Sequence, residues 1–148
     1  MSTIVTDIFN AIKNESQTIL GVEYVALRNI FNPELEDNRN SYKAFGVKHG
    51  AAQSADGITR VYTLDHKFEV LLVNRAPTRD DDAAIQVVIN ELYNKADDLL
   101  RNFFLKKLGL SAIILIIDQP ELSDPEILAN DAVLLRVGFN IKYRKPIT

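Results

Sequence analysis

The sequence predicts an α+β fold: a mostly antiparallel sheet with two main helices packed on one face, in the order α-β-β-β-α-β-β, and with a long β-hairpin. Three observations lead there. Two segments place apolar residues three or four positions apart, the spacing of one helix face. Several others alternate apolar and polar residues, or run continuously apolar over the length of a strand. Strands also follow one another directly, with only two helices interspersed, which favours antiparallel pairing over repeated βαβ units.

The first helix is predicted from Val5, Ile8, Ile12, Ser16 and Ile19, with Phe9 and Leu20 widening the stripe. Ser2 or Thr3 can cap it, Asp7 suits its positive end, and Gly21 offers a left-handed stop. Val22 to Arg28 follows as a short strand, and Asn32 to Asn40 as an exposed loop of turn formers and charges. Tyr42 to Ala52 and Thr59 to Arg75 read as hairpin arms joined through Gln53–Gly57, where Asp56-Gly57 is the strongest local turn signal. On the second arm Tyr62, Leu64, His66, Phe68, Val70 and Leu72 point one way, and Val61, Thr63, Asp65, Lys67 and Glu69 the other. Unbroken, that arm would span about 50 Å and carry its tip beyond the body of the domain.

The second helix, from Asp81 to Leu108, would be roughly 40 Å long. Ile85, Val88, Leu92, Ala96, Leu99, Phe103 and Lys107 trace one side, with Ile89, Leu100 and Phe104 beside it. Thr78 or one of Asp80, Asp81 and Asp82 can cap it, and Gly109 can close it. Ser111 to Asp118 is apolar on both faces, the pattern of a central strand covered on both sides. Gln119 to Asp131 forms a long link with a turn of helix expected around Pro125–Leu128. Ala132 to Tyr143 closes the sheet, with Val133, Leu135, Val137, Phe139, Ile141 and Tyr143 inward and Arg136, Asn140 and Lys142 outward.

Composition narrows the function. The chain has 148 residues, 47% hydrophobic and 25% charged, which is ordinary for one globular domain over 1–148. With no cysteine, disulfide scaffolds, thiolate zinc sites, iron–sulfur clusters and cysteine nucleophiles drop out. The N-terminal residues lack the pattern of a signal peptide, and the near-apolar run Ala112–Ile117 is too short to cross a bilayer, so a soluble protein without membrane contact is expected. Net charge is −3, and the only basic cluster is Lys142, Arg144 and Lys145, too small to argue for nucleic-acid binding.

No motif carries chemistry. His49 and His66 lie on the two hairpin arms, where a suitable register could let them share a metal or a proton, but no third ligand has a recognisable spacing. Asp80-Asp81-Asp82 lacks the spaced oxygens and turn glycine of a calcium loop and reads as a charged helix start. Asp97 and Asp98 suit the wet side of the second helix, and Phe103-Phe104 its core side. Gly46, Gly50 and Gly57 form no phosphate-binding pattern, and no serine elbow occurs. The sequence therefore assigns no catalytic, cofactor-binding or metal-binding residues, requires no cofactor, and points away from an enzyme.

Four segments give the chain a resemblance to bacteriophage tail terminator (tail-completion) proteins of the lambda type. They are Val5–Ile12, Arg60–Val70, Asp81–Leu108 and Ala132–Ile141. The resemblance covers nearly the whole length and rests on their arrangement. It implies a structural virion protein, made in the host cytoplasm, that forms a homohexameric ring at the head-proximal end of the tail. Such a ring ends tail-tube polymerisation and joins tail to neck. Its implied partners are the tail-tube protein, a neck or head-completion protein and, in a sheathed tail, the sheath protein; DNA would pass the lumen without specific binding. The hairpin tip at Gln53–Gly57 and the loops Asn32–Asn40 and Gln119–Asp131 are the expected assembly contacts. Other readings are a different neck, head-closure or tail-tube component, or a small-molecule-binding α+β protein or enzyme.

Overall fold

Apolar stripes and alternating runs resolve into one mixed sheet with both helices against the same face. A computed structural model describes residues 4–27, 43–58, 61–75, 81–110, 113–128 and 132–146. In chain order the elements are α1 (Ile4–Leu20), β1 (Val25–Ala26), β2 (Lys43–Ile58), β3 (Val61–Arg75), α2 (Asp82–Lys106), β4 (Ile114–Leu122), β5 (Glu126–Ile127) and β6 (Ala132–Pro146). The expected α-β-β-β-α-β-β order holds, with the short β5 added. Among the described residues no helix is long and apolar enough to cross a membrane.

Helix α1 buries Ile8, Ile12, Ser16 and Leu20. It stops at Gly21, whose φ of 91° places it in the left-handed region while its N–H donates to the Gln17 carbonyl at 3.0 Å. The Ser16 hydroxyl is fully buried without a hydrogen-bond partner among the described residues. Ser16→Ala should therefore be neutral or stabilise the protein by up to about 1 kcal/mol, because alanine also favours the helix interior. Urea unfolding would read it, and a loss above about 1 kcal/mol would contradict the orphaned hydroxyl.

Helix α2 starts where Asp81 accepts hydrogen bonds from the N–H groups of Ala83 (3.0 Å) and Ala84 (3.3 Å). It buries Ile85, Val88, Leu92, Ala96, Leu99, Leu100 and Phe103. The stop differs from expectation. Lys107 itself takes the left-handed conformation (φ 48°) and its N–H caps the Phe103 carbonyl; Gly109 ends the 3-10 turn that follows.

The sheet order is β1-β2-β3-β6-β4, with β5 also on β6; β1–β2 is parallel and every other pair antiparallel. Three expectations need correcting. First, Gln53–Gly57 is not the hairpin turn but strand: Gly57 pairs with Tyr62, and the ladder runs on to Ile58↔Val61. Buried pairs deeper in the ladder, Phe45↔Leu72 and Val47↔Val70, fix the register. Two bulges on β2 push the tip further along.

Second, the apolar segment ending at Asp118 is not a central strand. As β4 it forms an edge, paired only with β6, and the centre belongs to β3 and β6. Third, Gln119–Leu128 contains no helical turn. Residues 119–122 continue β4 and Glu126–Ile127 is β5, so β4 and β5 together make one interrupted arm antiparallel to β6. Gln119 (φ 53°) and Pro120 sit in the bulge between Asp118 and Glu121, where an edge tolerates a proline. The predicted strand Val22–Arg28 shrinks to Val25–Ala26, and the expected loop Asn32–Asn40 lies outside the described residues.

The main core lies between the helices and the inner face of the sheet, with Phe68, Phe139, Phe103 and Tyr143 at its centre. The inward residues expected on β6 are all fully buried. A second, smaller cluster occupies the opposite face near the base, where Ala44, Leu71, Val73, Ala132 and Leu134 are covered by Leu27 and Leu128. At the other end pairing runs on to Ile58↔Val61 and Val61↔Pro146. The projecting element is thus a three-stranded arm of β2, β3 and β6 instead of a bare hairpin.

Candidate assembly surfaces

Two edges of the same sheet are covered by no described strand over much of their length. On one side β1 pairs with β2 only at Ala44 and Phe45, and the Leu27 N–H donates to the Phe45 carbonyl at 2.8 Å. Beyond Phe45 no other described strand meets this edge of β2. On the far side, no described strand pairs with the outer edge of β4. The β4–β5 arm also exposes three large apolar side chains, Ile116 (45%), Leu122 (40%) and Ile127 (52%). Unpaired backbone beside exposed isoleucine and leucine is a template for another strand. Charge distinguishes the two edges. Residues 114–127 carry Asp118, Glu121, Asp124 and Glu126 with no Lys or Arg, whereas β2 beyond Phe45 carries both Lys48 and Asp56.

The outer face of the sheet between these edges is polar. Lys67 pairs with Glu121 at 3.3 Å, and Arg136 with Glu126 at 3.5 Å and Glu69 at 4.0 Å. Lys67 can lie flat because Gly50 faces it: a Cβ there would stand 3.0 Å from the Lys67 Cβ and 3.1 Å from its carbonyl oxygen. An open groove of about 520 Å³ runs across this face, lined by Ala52, Asp65, Lys67, Gln119, Pro120, Glu121 and Asn140. Lys67 and Glu121 neutralise one another there, and the Asp65 Oδ1 is buried without a hydrogen-bond partner among the described residues. The exposed ion pairs contribute little to stability.

On the inner face His49 and His66 do come together. They are not directly paired, since His49 stands opposite Phe68 and His66 opposite Ala52, but their ring centroids are 5.4 Å apart. The rings extend a stack: Phe9 of α1 lies on His49 (4.7 Å, 8°), and His66 lies on Phe68 (4.2 Å, 26°). Tyr143 places its hydroxyl 3.4 Å from the His66 Nδ1. Burial pushes the His66 pKa below the ordinary histidine value and His49 adds to that, while a hydrogen bond to the backbone at Gly50 acts in the opposite sense. Among the described residues no group of three His, Cys, Asp or Glu side chains is placed to hold a metal ion. The aspartates considered earlier are dispersed, Asp81 in the helix cap and Asp97 in an ion pair with Arg101 on the exposed side of α2. Phe103 is buried and Phe104 packs beside it.

A network that sequence reasoning missed joins α2 to the base of the sheet. Lys43 donates to Glu91 at 2.7 Å and to Glu23 at 3.4 Å, and the Asn74 amide donates to the other Glu91 oxygen at 3.1 Å. Its Glu91 hydrogen bond raises the Lys43 pKa, against the effect of burial. Tyr24 lies beneath, its ring 5.8 Å from the Lys43 ammonium and 6.0 Å from that of Lys95. Burial, then Glu91 and Glu23, push its phenol pKa upward. Lys43 and Glu91 stand 48 positions apart, so no local pattern could have revealed the pair.

No protein-family model and no curated protein matches the sequence. Among solved structures, the chain is similar to one described as "Virion of native gene transfer agent (GTA) particle", with 10% identity, 93% of this chain and 92% of that chain covered, and a TM-score of 0.38. Likeness at that level assigns neither family nor activity.

Proposed function

We propose that this chain is a non-catalytic structural virion protein that forms a ring at the head-proximal end of a phage tail, ends tube polymerisation and joins tail to neck. One observation carries the ring: a single sheet with two unlike edges on opposite sides that no described strand covers, one acidic with exposed apolar side chains, the other of mixed charge. Such edges suit a heterologous contact, in which β4–β5 of one copy meets β2 of the next and the series closes on itself. The place in a tail comes from the resemblance of the four sequence segments. In this reading the carbonyls and amides left unpaired in one copy find partners in its neighbour.

Light scattering over a range of concentrations tests the proposal. A closed hexamer, or a monomer that becomes hexameric on added tail tubes, is the expected result. Ile116→Lys combined with Leu122→Lys should reduce the assembly to monomer while leaving far-ultraviolet circular dichroism unchanged. A wild-type chain that stays monomeric and ignores tubes would overturn the ring, and growth into long stacks would instead identify a tube subunit.

A further inference from the structure

We propose that the Phe9–His49–His66 stack is an acid-sensitive clamp that holds the first helix on the sheet and releases it when His66 takes up a proton. The inference stands apart from the ring proposal, because it concerns contacts within one chain.

The geometry singles out this point. Phe9 brings α1 onto His49, ring on ring, and His49 stands against both His66 and Phe68. His66 is only 6% exposed. The groups that face it are His49 and the Gly50 backbone from β2, the neutral Tyr143 phenol from β6, and Phe68 of its own strand. From α1 the neighbour in the stack is Phe9, which is uncharged. Among the described residues no carboxylate acts on His66, so a proton arriving there gains no counter-charge from them. A charged imidazole can use the face of Phe68. It still loses its hydration, and His49, with its ring 5.4 Å away, opposes the charge. The neutral pair stacks with neither cost.

The direction with pH follows. Below about pH 6.5, the ordinary histidine value, the unfolded chain binds more protons at His66 than the folded one. The contribution of the clamp is complete above that pH and is lost as pH falls through the lowered folded value. Release should be local. β3 is held on both sides by backbone ladders through Phe68, opposite His49 and opposite Phe139, whereas α1 is held by side-chain packing. His49, the exposed member, can turn to water and leave Phe9 without its partner.

Amide hydrogen exchange on the full chain at about pH 7.5 and about pH 5, corrected for intrinsic rates, tests this. Amides from Ile8 to Ile12 are expected to lose at least about tenfold in protection at the lower pH, while those of β3 and β6 keep theirs. His49→Gln, at an exposed position, should remove most of that loss. His66→Gln puts an amide into the core and can fail to fold, so an imidazole titration by NMR replaces it, with His66 expected to titrate below about 6.5. Equal α1 protection at both pH values would overturn the clamp, as would an equal acid loss in His49→Gln. Loss spread evenly over β3 and β6, or a His66 titration at or above the ordinary value, would overturn it as well.

Discussion

Phe139→Ala is expected to lower the unfolding free energy by about 3–5 kcal/mol, a large share of what a domain of this size has. Phe139 is fully buried on the central strand β6 and joins the two layers. Its ring lies 6.4 Å from Phe68 on β3 and 5.3 Å from Phe103 on α2. Truncation leaves a cavity between rigid neighbours, because strand on one side and helix on the other cannot collapse into it. The midpoint of thermal unfolding should fall by roughly 10 °C or more. A loss below about 1 kcal/mol would mean that the two layers do not meet through this ring. Phe139→Leu, which keeps most of the volume, should cost clearly less.

Removing Glu91 should have the next largest effect. Glu91→Ala strips Lys43 of its short hydrogen bond and leaves the Asn74 amide, 4% exposed, without that acceptor. A loss of about 2–3 kcal/mol is expected, most of it from polar groups left unsatisfied. Glu91→Gln keeps an acceptor in place and should lose less. The pH dependence has a definite sign. Lys43 has a folded pKa above its ordinary value, so its contribution is present in full below about pH 10.5 and is lost as pH rises through the raised value. The stability gap between wild type and Glu91→Ala should therefore persist from neutral pH upward and narrow in strong alkali. Urea unfolding at several pH values reads both effects, and a gap already closed at neutral pH would contradict the network.

The helices and β6 were legible in the sequence because their patterns are decided locally. Ile85 to Phe103 keep one helical face, and Val133 to Tyr143 keep one strand face, whatever surrounds them. The turn at Asp56-Gly57 misled because a dipeptide preference is weaker than a ladder of buried pairs that must stay in register. For β4 the misreading had another source: continuous apolarity reports that a strand is greasy, not how many neighbours it has. Ile116, Leu122 and Ile127 are exposed at an edge, and that exposure bears on assembly. The faces read from the sequence include neither Leu71 nor Val73, and only the structure clusters them with Leu134 and Ala132. His49 and His66 could be placed on neighbouring arms from sequence. Their contact with Phe9 could not, because a helix and a strand distant in the chain supply it.

Strand β6 pairs with β3, β4 and β5, and it follows all three in the chain. A ribosome therefore releases every partner before the strand that unites them. Until β6 emerges, β3 offers an open flank lined by Phe68, Val70 and Leu72, and the edge arm has nothing to pair with. The sheet cannot close progressively during synthesis; it must wait and then form across long stretches of chain, from Arg75↔Ala132 out to Val61↔Pro146. The newborn chain is thus most exposed to wrong partners just before β6 emerges, when like copies are close by on the same message.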